Sequence, residues 1–132
     1  MHRCILICLA AVIVVACTRG SGKLEGTKWI AEEVAGHAAL PSVRSTLEFT
    51  EPERVEGQGG CNRYAGGVKL DETTLHFGDI ASTKMACAEP AAMDQESRFF
   101  TALAAARSYR VAGTKLLFAD ESGKVLVRFK PQ

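Results

Sequence analysis

Short segments with the character of β-strands, separated by turn residues, follow one another after residue 23, and Ser45–Thr50 alternates with the period of a half-buried β-strand. In this stretch Leu47 and Phe49 would lie on one face of a strand, and Thr46 and Glu48 on the other. Residues 35–43 contain a glycine and a proline and are predicted to form a loop. The pattern predicts strands over Leu24–Val34, Ser45–Thr50, Arg54–Gln58, Val68–Leu70, Thr74–Phe77, Ile80–Ala86, Tyr109–Ala112, Lys115–Ala119 and Lys124–Lys130.

One stretch has helical character instead. Ala91–Arg107 is rich in alanine, a strong helix former, and Pro90 before it suits the first turn of a helix. The order of strands, one helix and more strands predicts the α+β class. We expect a small antiparallel, curved, barrel-like β-sheet closed by one α-helix. The helix residues predicted to face the core, from their spacing, are Met93, Phe100, Leu103 and Ala104.

Residues 1–16 have the features of a secretory leader rather than of the fold. Arg3 gives a positive start, and Ile5–Ala16 follow without a charge or a proline. This run is too short to cross a bilayer core of roughly 30 Å as a helix. It ends in Val14-Val15-Ala16-Cys17, which resembles the lipobox of bacterial lipoproteins. We predict cleavage before Cys17 and lipid on its thiol; the alternative is an ordinary signal peptide followed by an incidental cysteine.

The lipid would hold the chain in the bacterial cell envelope, since several acyl chains give stable anchoring. Residues 17–23 would then be the lipidated cysteine and a flexible tether, and residues 24–132 the folded domain. No Asp follows Cys17, which in enteric-type bacteria resembles an outer-membrane sorting signal, with the domain facing the periplasm. Cleavage removes one of 16 basic residues and leaves 15 basic and 15 acidic ones. We therefore expect no nucleic-acid partner, and we expect a monomer.

Two cysteines remain in the mature chain besides the predicted lipid site. Cys61 and Cys87 would lie in an oxidising compartment, where a disulfide is the simplest outcome. Two free thiols, or a metal pair, are the alternatives, although closed zinc sites take four ligands. The glycines around Cys61 suggest a sharp bend with positive φ angles; they are Gly57, Gly59, Gly60, Gly66 and Gly67.

No group of residues has the pattern of an active site. Gly57–Gly60 lacks the Gly-Lys-Ser/Thr ending of a phosphate-binding loop. Asp94 and Glu96 would lie near the helix N-terminus, where acidic residues favour the helix dipole. We predict a protein with no catalytic residues, no metal and no cofactor. Clustering of His76, Asp79 or Glu96 in a cleft would favour an enzyme instead.

Three motifs follow one another along the folded part. Leu24–Trp29 reads Leu-x-Gly-Thr-x-Trp, Gly57–Gly66 reads Gly-x-x-Gly-Cys-Asn-x-Tyr-x-Gly, and Thr83–Cys87 reads Thr-x-Met-x-Cys. In this order they resemble the motifs of the META/HslJ-like domain family, over about Leu24 to Phe129. Val68 departs from the aromatic residue that the family usually has at that position, which affects a local packing contact.

The resemblance implies an antiparallel, barrel-like sheet with one helix and no established catalytic activity. It also implies structural roles, as turn formers and core anchors beside a Cys61–Cys87 staple, for the motif residues Trp29, Gly60, Asn62, Tyr64, Gly66, Thr83 and Met85.

Three functions are consistent with the anchor and the resemblance. Bacterial members of the family are associated with heat-shock expression and novobiocin tolerance, which suggests an envelope lipoprotein with a role in stress or antibiotic tolerance through binding a protein or lipid. The fold also looks like that of secretion pilotins, so a pilotin-like lipid-binding chaperone for an outer-membrane or secretion component, with an apolar cavity, is one alternative. An inhibitor of an envelope hydrolase is the other.

We predict that Cys17→Ala abolishes acylation, because the Cys17 thiol is the expected attachment atom. Labelling of cells with radioactive palmitate measures the effect, and Cys8→Ala, within the leader, is the control that should keep the label. Palmitate that still enters the Cys17→Ala chain would contradict the prediction.

Overall fold

The computed structural model describes residues 24–132; the predicted leader (1–16), Cys17 and the tether (18–23) lie outside the described residues. The described residues form nine strands and one helix, so the predicted α+β class is confirmed. The elements are β1 (Lys28–Val34), β2 (His37–Ala38), β3 (Thr46–Glu51), β4 (Arg54–Gln58), β5 (Arg63–Asp71), β6 (Thr74–Ser82), α1 (Pro90–Ala105), β7 (Ser108–Ala112), β8 (Lys115–Ala119) and β9 (Val125–Pro131).

The strands form one antiparallel sheet that curves into a ring. Neighbouring strands follow the order β1-β3-β4-β5-β6-β7-β8-β9, and β9 pairs again with β1, where Ala31 lies opposite Phe129. The short β2 pairs with β1 in addition to this ring. The narrowest junction joins β6 to β7, where Thr74 lies opposite Ser108. Ring closure gives most strands two partners and leaves few edges open to other chains.

Large apolar side chains fill the inside of the ring. Alternation along β3 directs Leu47 and Phe49 inward, where both are buried. The rings of Phe118 and Phe129 meet edge to face with their centroids 5.0 Å apart, and Phe99 of α1 lies 6.2 Å from Phe129. Such aromatic pairs contribute about 0.5–1.5 kcal/mol each beyond the burial of their area. The helix therefore closes the ring by supplying side chains to its interior.

The helix begins at Pro90 and ends at Ala105, close to the predicted bounds. At its C-terminus Arg107 Nη1 donates hydrogen bonds to the carbonyl oxygens of Ala104 (2.9 Å) and Ala106 (2.8 Å), where a cation also complements the helix dipole. Within residues 24–132 no helix has the length and apolar character needed to cross a bilayer.

The buried face of α1 differs from the predicted one. It comprises Ala92, Gln95, Glu96, Phe99, Ala102 and Leu103. Met93 and Ala104 are exposed instead, so their assignment to the core is wrong, whereas Leu103 is buried. The physical reason is that Gln95 and Glu96 find hydrogen-bond partners inside, which turns two polar side chains towards the core.

Several strands also differ from the prediction, and the predicted Val68–Leu70 is part of the longer β5, Arg63–Asp71. β1 begins at Lys28, because Gly26 has a φ of 76° in a turn closed by the Thr27 amide and the Leu24 carbonyl. β2 lies inside the predicted loop. The predicted strand Ile80–Ala86 is wrong, since β6 continues to Ser82 opposite Tyr64 and residues 83–86 form no strand.

The glycines around Cys61 serve mainly to let neighbouring parts of the chain come close to their backbone. An unusual backbone angle is the exception among them. Only Gly60 of the five has a positive φ, at 155°, so the expectation is wrong for the other four. A Cβ atom at Gly57 would lie 2.2 Å from the carbonyl oxygen of Thr46, which already accepts a hydrogen bond from the Tyr64 hydroxyl. A Cβ atom at Gly67 would lie 3.7 Å from the nearest carbonyl oxygen, which is ordinary contact.

We predict that Gly57→Ala destabilises the fold by about 1–3 kcal/mol, because a methyl group would displace the backbone of β3. Gly67→Ala is the matched control, since it adds the same methyl group to a neighbouring strand without a clash. Urea unfolding monitored by Trp29 fluorescence measures both changes. Equal midpoints for the two variants would contradict the prediction.

Candidate functional site

The chain leaves β6 as an extended segment, Thr83–Cys87, which we call the Met85 segment. A single buried side chain fixes its backbone. Asn62, which is 3% exposed, accepts hydrogen bonds at Oδ1 from the Met85 amide (2.7 Å) and the Thr83 hydroxyl (2.9 Å). Its Nδ2 donates to the Met85 carbonyl oxygen at 3.2 Å. Asn62 thus binds both backbone polar groups of Met85, as a neighbouring strand would.

Glu96 of α1 holds Asn62 in place. Its Oε2 accepts hydrogen bonds from the amides of Cys61 (2.8 Å) and Asn62 (2.6 Å), and its Oε1 accepts one from Asn62 Nδ2 (2.6 Å). Glu96 is buried, with only 5% of its surface exposed. A carboxylate removed from water is stable only when N–H donors replace its hydration, and three do so here. The interpretation of Glu96 as a residue placed for the helix dipole is therefore wrong.

A disulfide joins the residue before Asn62 to the last residue of the Met85 segment. Cys61, next to Asn62, is bonded to Cys87 at the end of the Met85 segment, with their Cα atoms 5.8 Å apart. Closing a loop of this length stabilises a fold by roughly 3 kcal/mol in the chain-entropy description. The Met85 segment is thus held covalently at one end and by hydrogen bonds at its centre.

The side chain of Met85 points to solvent even though its backbone is fixed. Met85 is 59% exposed and Met93, at the start of α1, is 38% exposed, so the expectation that Met85 anchors the core is wrong. Both residues line a groove of about 410 Å³ together with Phe100 and Lys84. The segment therefore presents a flexible apolar side chain from a rigid backbone.

The other motif residues lie in the fold. Trp29 is buried and donates its indole N–H to the Thr27 hydroxyl at 2.8 Å. Tyr64 donates its hydroxyl to the Thr46 carbonyl oxygen at 2.7 Å, and its burial raises the pKa of the phenol. Gly66 lies against Ile80, where a Cβ atom would be 2.7 Å from the Ile80 side chain.

Gln95 is a further buried polar residue that the sequence interpretation did not identify. Its Oε1 accepts a hydrogen bond from the Leu40 amide at 2.8 Å, and its Nε2 donates a hydrogen bond to the Ser45 hydroxyl at 2.9 Å. Gln95 thereby fixes the loop before β3. The spacing of Ala92, Gln95, Glu96 and Phe99 is that of one helix face, and this was the signal that could have revealed both polar residues.

The carboxylate of Glu96 is fully engaged in hydrogen bonds within the fold. Both oxygens of Glu96 already accept hydrogen bonds from N–H groups. In the part of the chain that the structure describes, no three His, Cys, Asp or Glu side chains come close enough to hold a metal ion.

We predict that Glu96→Gln lowers the free energy of unfolding by about 1–3 kcal/mol, because the new NH₂ group would face N–H donors. Glu89→Gln is the control, since Glu89 is exposed at the N-terminus of the same helix and makes no capping hydrogen bond. It should change stability by no more than about 0.5 kcal/mol. Thermal unfolding of both variants tests this, and a Glu96→Gln variant as stable as the control would rule the network out as a major contribution.

Comparison with known proteins identifies the family. Two proteins with NMR structures share the fold, each with a TM-score of 0.67. One is 22% identical over 83% of this chain and 92% of its own. The other, from Burkholderia xenovorans, is 24% identical over 85% of this chain and 86% of its own. No curated protein matches the chain. The META domain family matches residues 22–132, which include all three sequence motifs, and the chain belongs to this family.

Proposed function

We propose that this protein is a lipoprotein of the bacterial cell envelope whose META domain binds a partner protein through the Met85 segment, without catalysing a reaction. The lipobox at Cys17 supports the anchor, and the family resemblance supports a role in stress or antibiotic tolerance. One observation carries the binding role. The most exposed large apolar side chain of the described residues, Met85, belongs to a segment whose backbone is held by a buried asparagine and a disulfide.

A binding role explains why the segment is both rigid and exposed. A fixed backbone loses little conformational entropy when a partner docks, so more of the contact energy remains as affinity. Methionine suits such a position, because its unbranched thioether adapts to irregular apolar surfaces. Binding residues commonly lie on loops that a rigid scaffold positions. Met93 and Phe100 extend the apolar surface into the adjoining groove.

The interior of the ring favours a surface partner over an enclosed ligand. A pilotin-like carrier would hold an apolar ligand inside the sheet. Here Phe49, Phe99, Phe118 and Phe129 fill that interior and are among the largest fully buried side chains. An apolar ligand would have to displace them, at a cost of several kcal/mol for each phenylalanine.

We predict that a photoreactive amino acid at position 85, in the lipidated protein in living cells, forms one discrete covalent adduct with a partner. The same amino acid at Val111 is the control, because Val111 is 52% exposed but lies on β7, away from the groove. Illumination, followed by gel electrophoresis and mass spectrometry of the adduct, identifies the partner.

A second variant separates binding from general apolar adhesion. Asn62→Ala should reduce the adduct at position 85 while palmitate labelling of Cys17 persists, because it releases the segment without touching the anchor. Equal adducts from positions 85 and 111, or none from position 85, would overturn the proposed binding surface.

A further inference from the structure

We propose that the outer faces of β7, β8, β9 and β1 form a basic wall that contacts anionic phospholipid headgroups, and so orients the anchored domain on its membrane. The choice of a lipid surface as the partner rests on the anchor proposed at Cys17. The wall is defined by the outward side chains of Arg110, Lys115, Arg128 and Lys130.

The strand registers bring these cations together. Arg110 lies opposite Leu117 of β8, and Leu117 lies opposite Arg128 of β9, so the three form one row across the sheet. Leu117 points outward and does not belong to the core cluster, yet it is only 3% exposed. The flanking arginines are placed to cover it, because long basic side chains can lie along apolar surface and keep their charge in water. Lys130 continues the wall opposite Ile30 of β1.

The basic wall carries more positive than negative charge. Glu32 is the acidic residue at its centre and pairs with Lys115, with Nζ and Oε1 2.6 Å apart. This hydrogen bond, together with the charges of Lys115, Lys130 and Arg128, holds the pKa of Glu32 below its usual value. With Glu33 counted as well, two carboxylates oppose four cations, which leaves two positive charges in excess. A protein whose mature chain is neutral overall therefore has a cationic side.

A depression in the wall offers a place for a headgroup phosphate. Arg44 and Lys130 line a hollow of about 380 Å³ beside Glu32. Arg44 and Lys130 are both exposed, so neither must be uncovered before an anion approaches. Guanidinium and ammonium groups bind phosphate oxygens through charge-assisted hydrogen bonds.

The part of the wall on β9 and β1 lies far around the ring from the Met85 segment, whereas β7 is next to β6. β6, which leads into that segment, is four strands from β1 in either direction around the ring of eight. A domain that rests on β9 and β1 would therefore present Met85 away from the bilayer. The tether favours such contact, since about seven residues reach at most about 25 Å when fully extended. A basic surface combined with a lipid anchor is a common two-signal arrangement.

The test uses a chain of residues 18–132 that carries no lipid, so it does not depend on acylation. All strands and the helix lie within residues 28–131, so this chain contains every element of the fold. Co-sedimentation with vesicles of phosphatidylcholine containing phosphatidylglycerol is compared with vesicles of phosphatidylcholine alone. We expect binding to the anionic vesicles only, and loss of binding when ionic strength rises from about 0.1 M to about 1 M, which shortens the screening length from about 10 Å to about 3 Å.

The variants locate the contact. Arg128→Glu/Lys130→Glu should weaken partition by about fivefold or more for each basic group lost. Arg54→Glu/Lys69→Glu makes the same charge change on exposed positions of β4 and β5, and should bind as the wild type does. The vesicle binding of Arg128→Gln/Lys130→Gln, which removes the two charges without reversing them, should fall between that of these two variants. It replaces Arg128→Glu/Lys130→Glu if that variant fails to fold. Equal binding by the wall and control variants, or no preference for anionic vesicles, would overturn the proposal. Failure of palmitate labelling at Cys17, with the vesicle result intact, would instead remove the anchor and leave the basic wall.

Discussion

The arrangement of the site depends on one buried side chain, Asn62, and on the carboxylate that holds it. Asn62 uses both its amide oxygen and its amide nitrogen to bind the backbone of Met85. Glu96 in turn accepts hydrogen bonds from the Cys61 and Asn62 amides and from Asn62 Nδ2. In a medium of low dielectric constant each of these bonds is strong, and each group would be costly to leave unpaired. The network therefore ties α1, the start of β5 and the Met85 segment into one unit.

The network explains the glycines and cysteines of the sequence motif. A Cβ atom at Gly59 would lie 2.8 Å from Cγ of Glu96 and 2.6 Å from the Phe100 ring, so glycine lets the helix come close enough for Glu96 to reach the backbone of the turn. The Cys61–Cys87 disulfide then prevents the segment from separating when the hydrogen bonds open transiently. The motif thus specifies a shape, and Met85 is the large apolar side chain that this shape presents to solvent.

The sequence predicted what depends on local pattern and missed what depends on distant partners. β4 and β8 have their predicted bounds, because alternation and turn residues lie next to each other in the chain. The segment after Ser82 looks like a strand, but its partner is a side chain more than twenty residues earlier rather than a strand. Glu96 and its partners are likewise 34 or 35 residues apart, so the spacing along the helix can indicate a buried face but not which N–H donors will bind the carboxylate.

The closed ring makes the two proposed surfaces parts of one mechanism. A closed antiparallel sheet is stiff, since its strands cannot turn independently, so the direction of one wall fixes the direction of the opposite one. Weak contacts between the basic wall and headgroups, each of about 1 kcal/mol, would therefore be enough to bias the orientation of the whole domain. Because β6 lies opposite β1, contact through β9 and β1 would turn the Met85 segment away from the membrane, where a rigid and exposed apolar side chain is accessible to a partner protein.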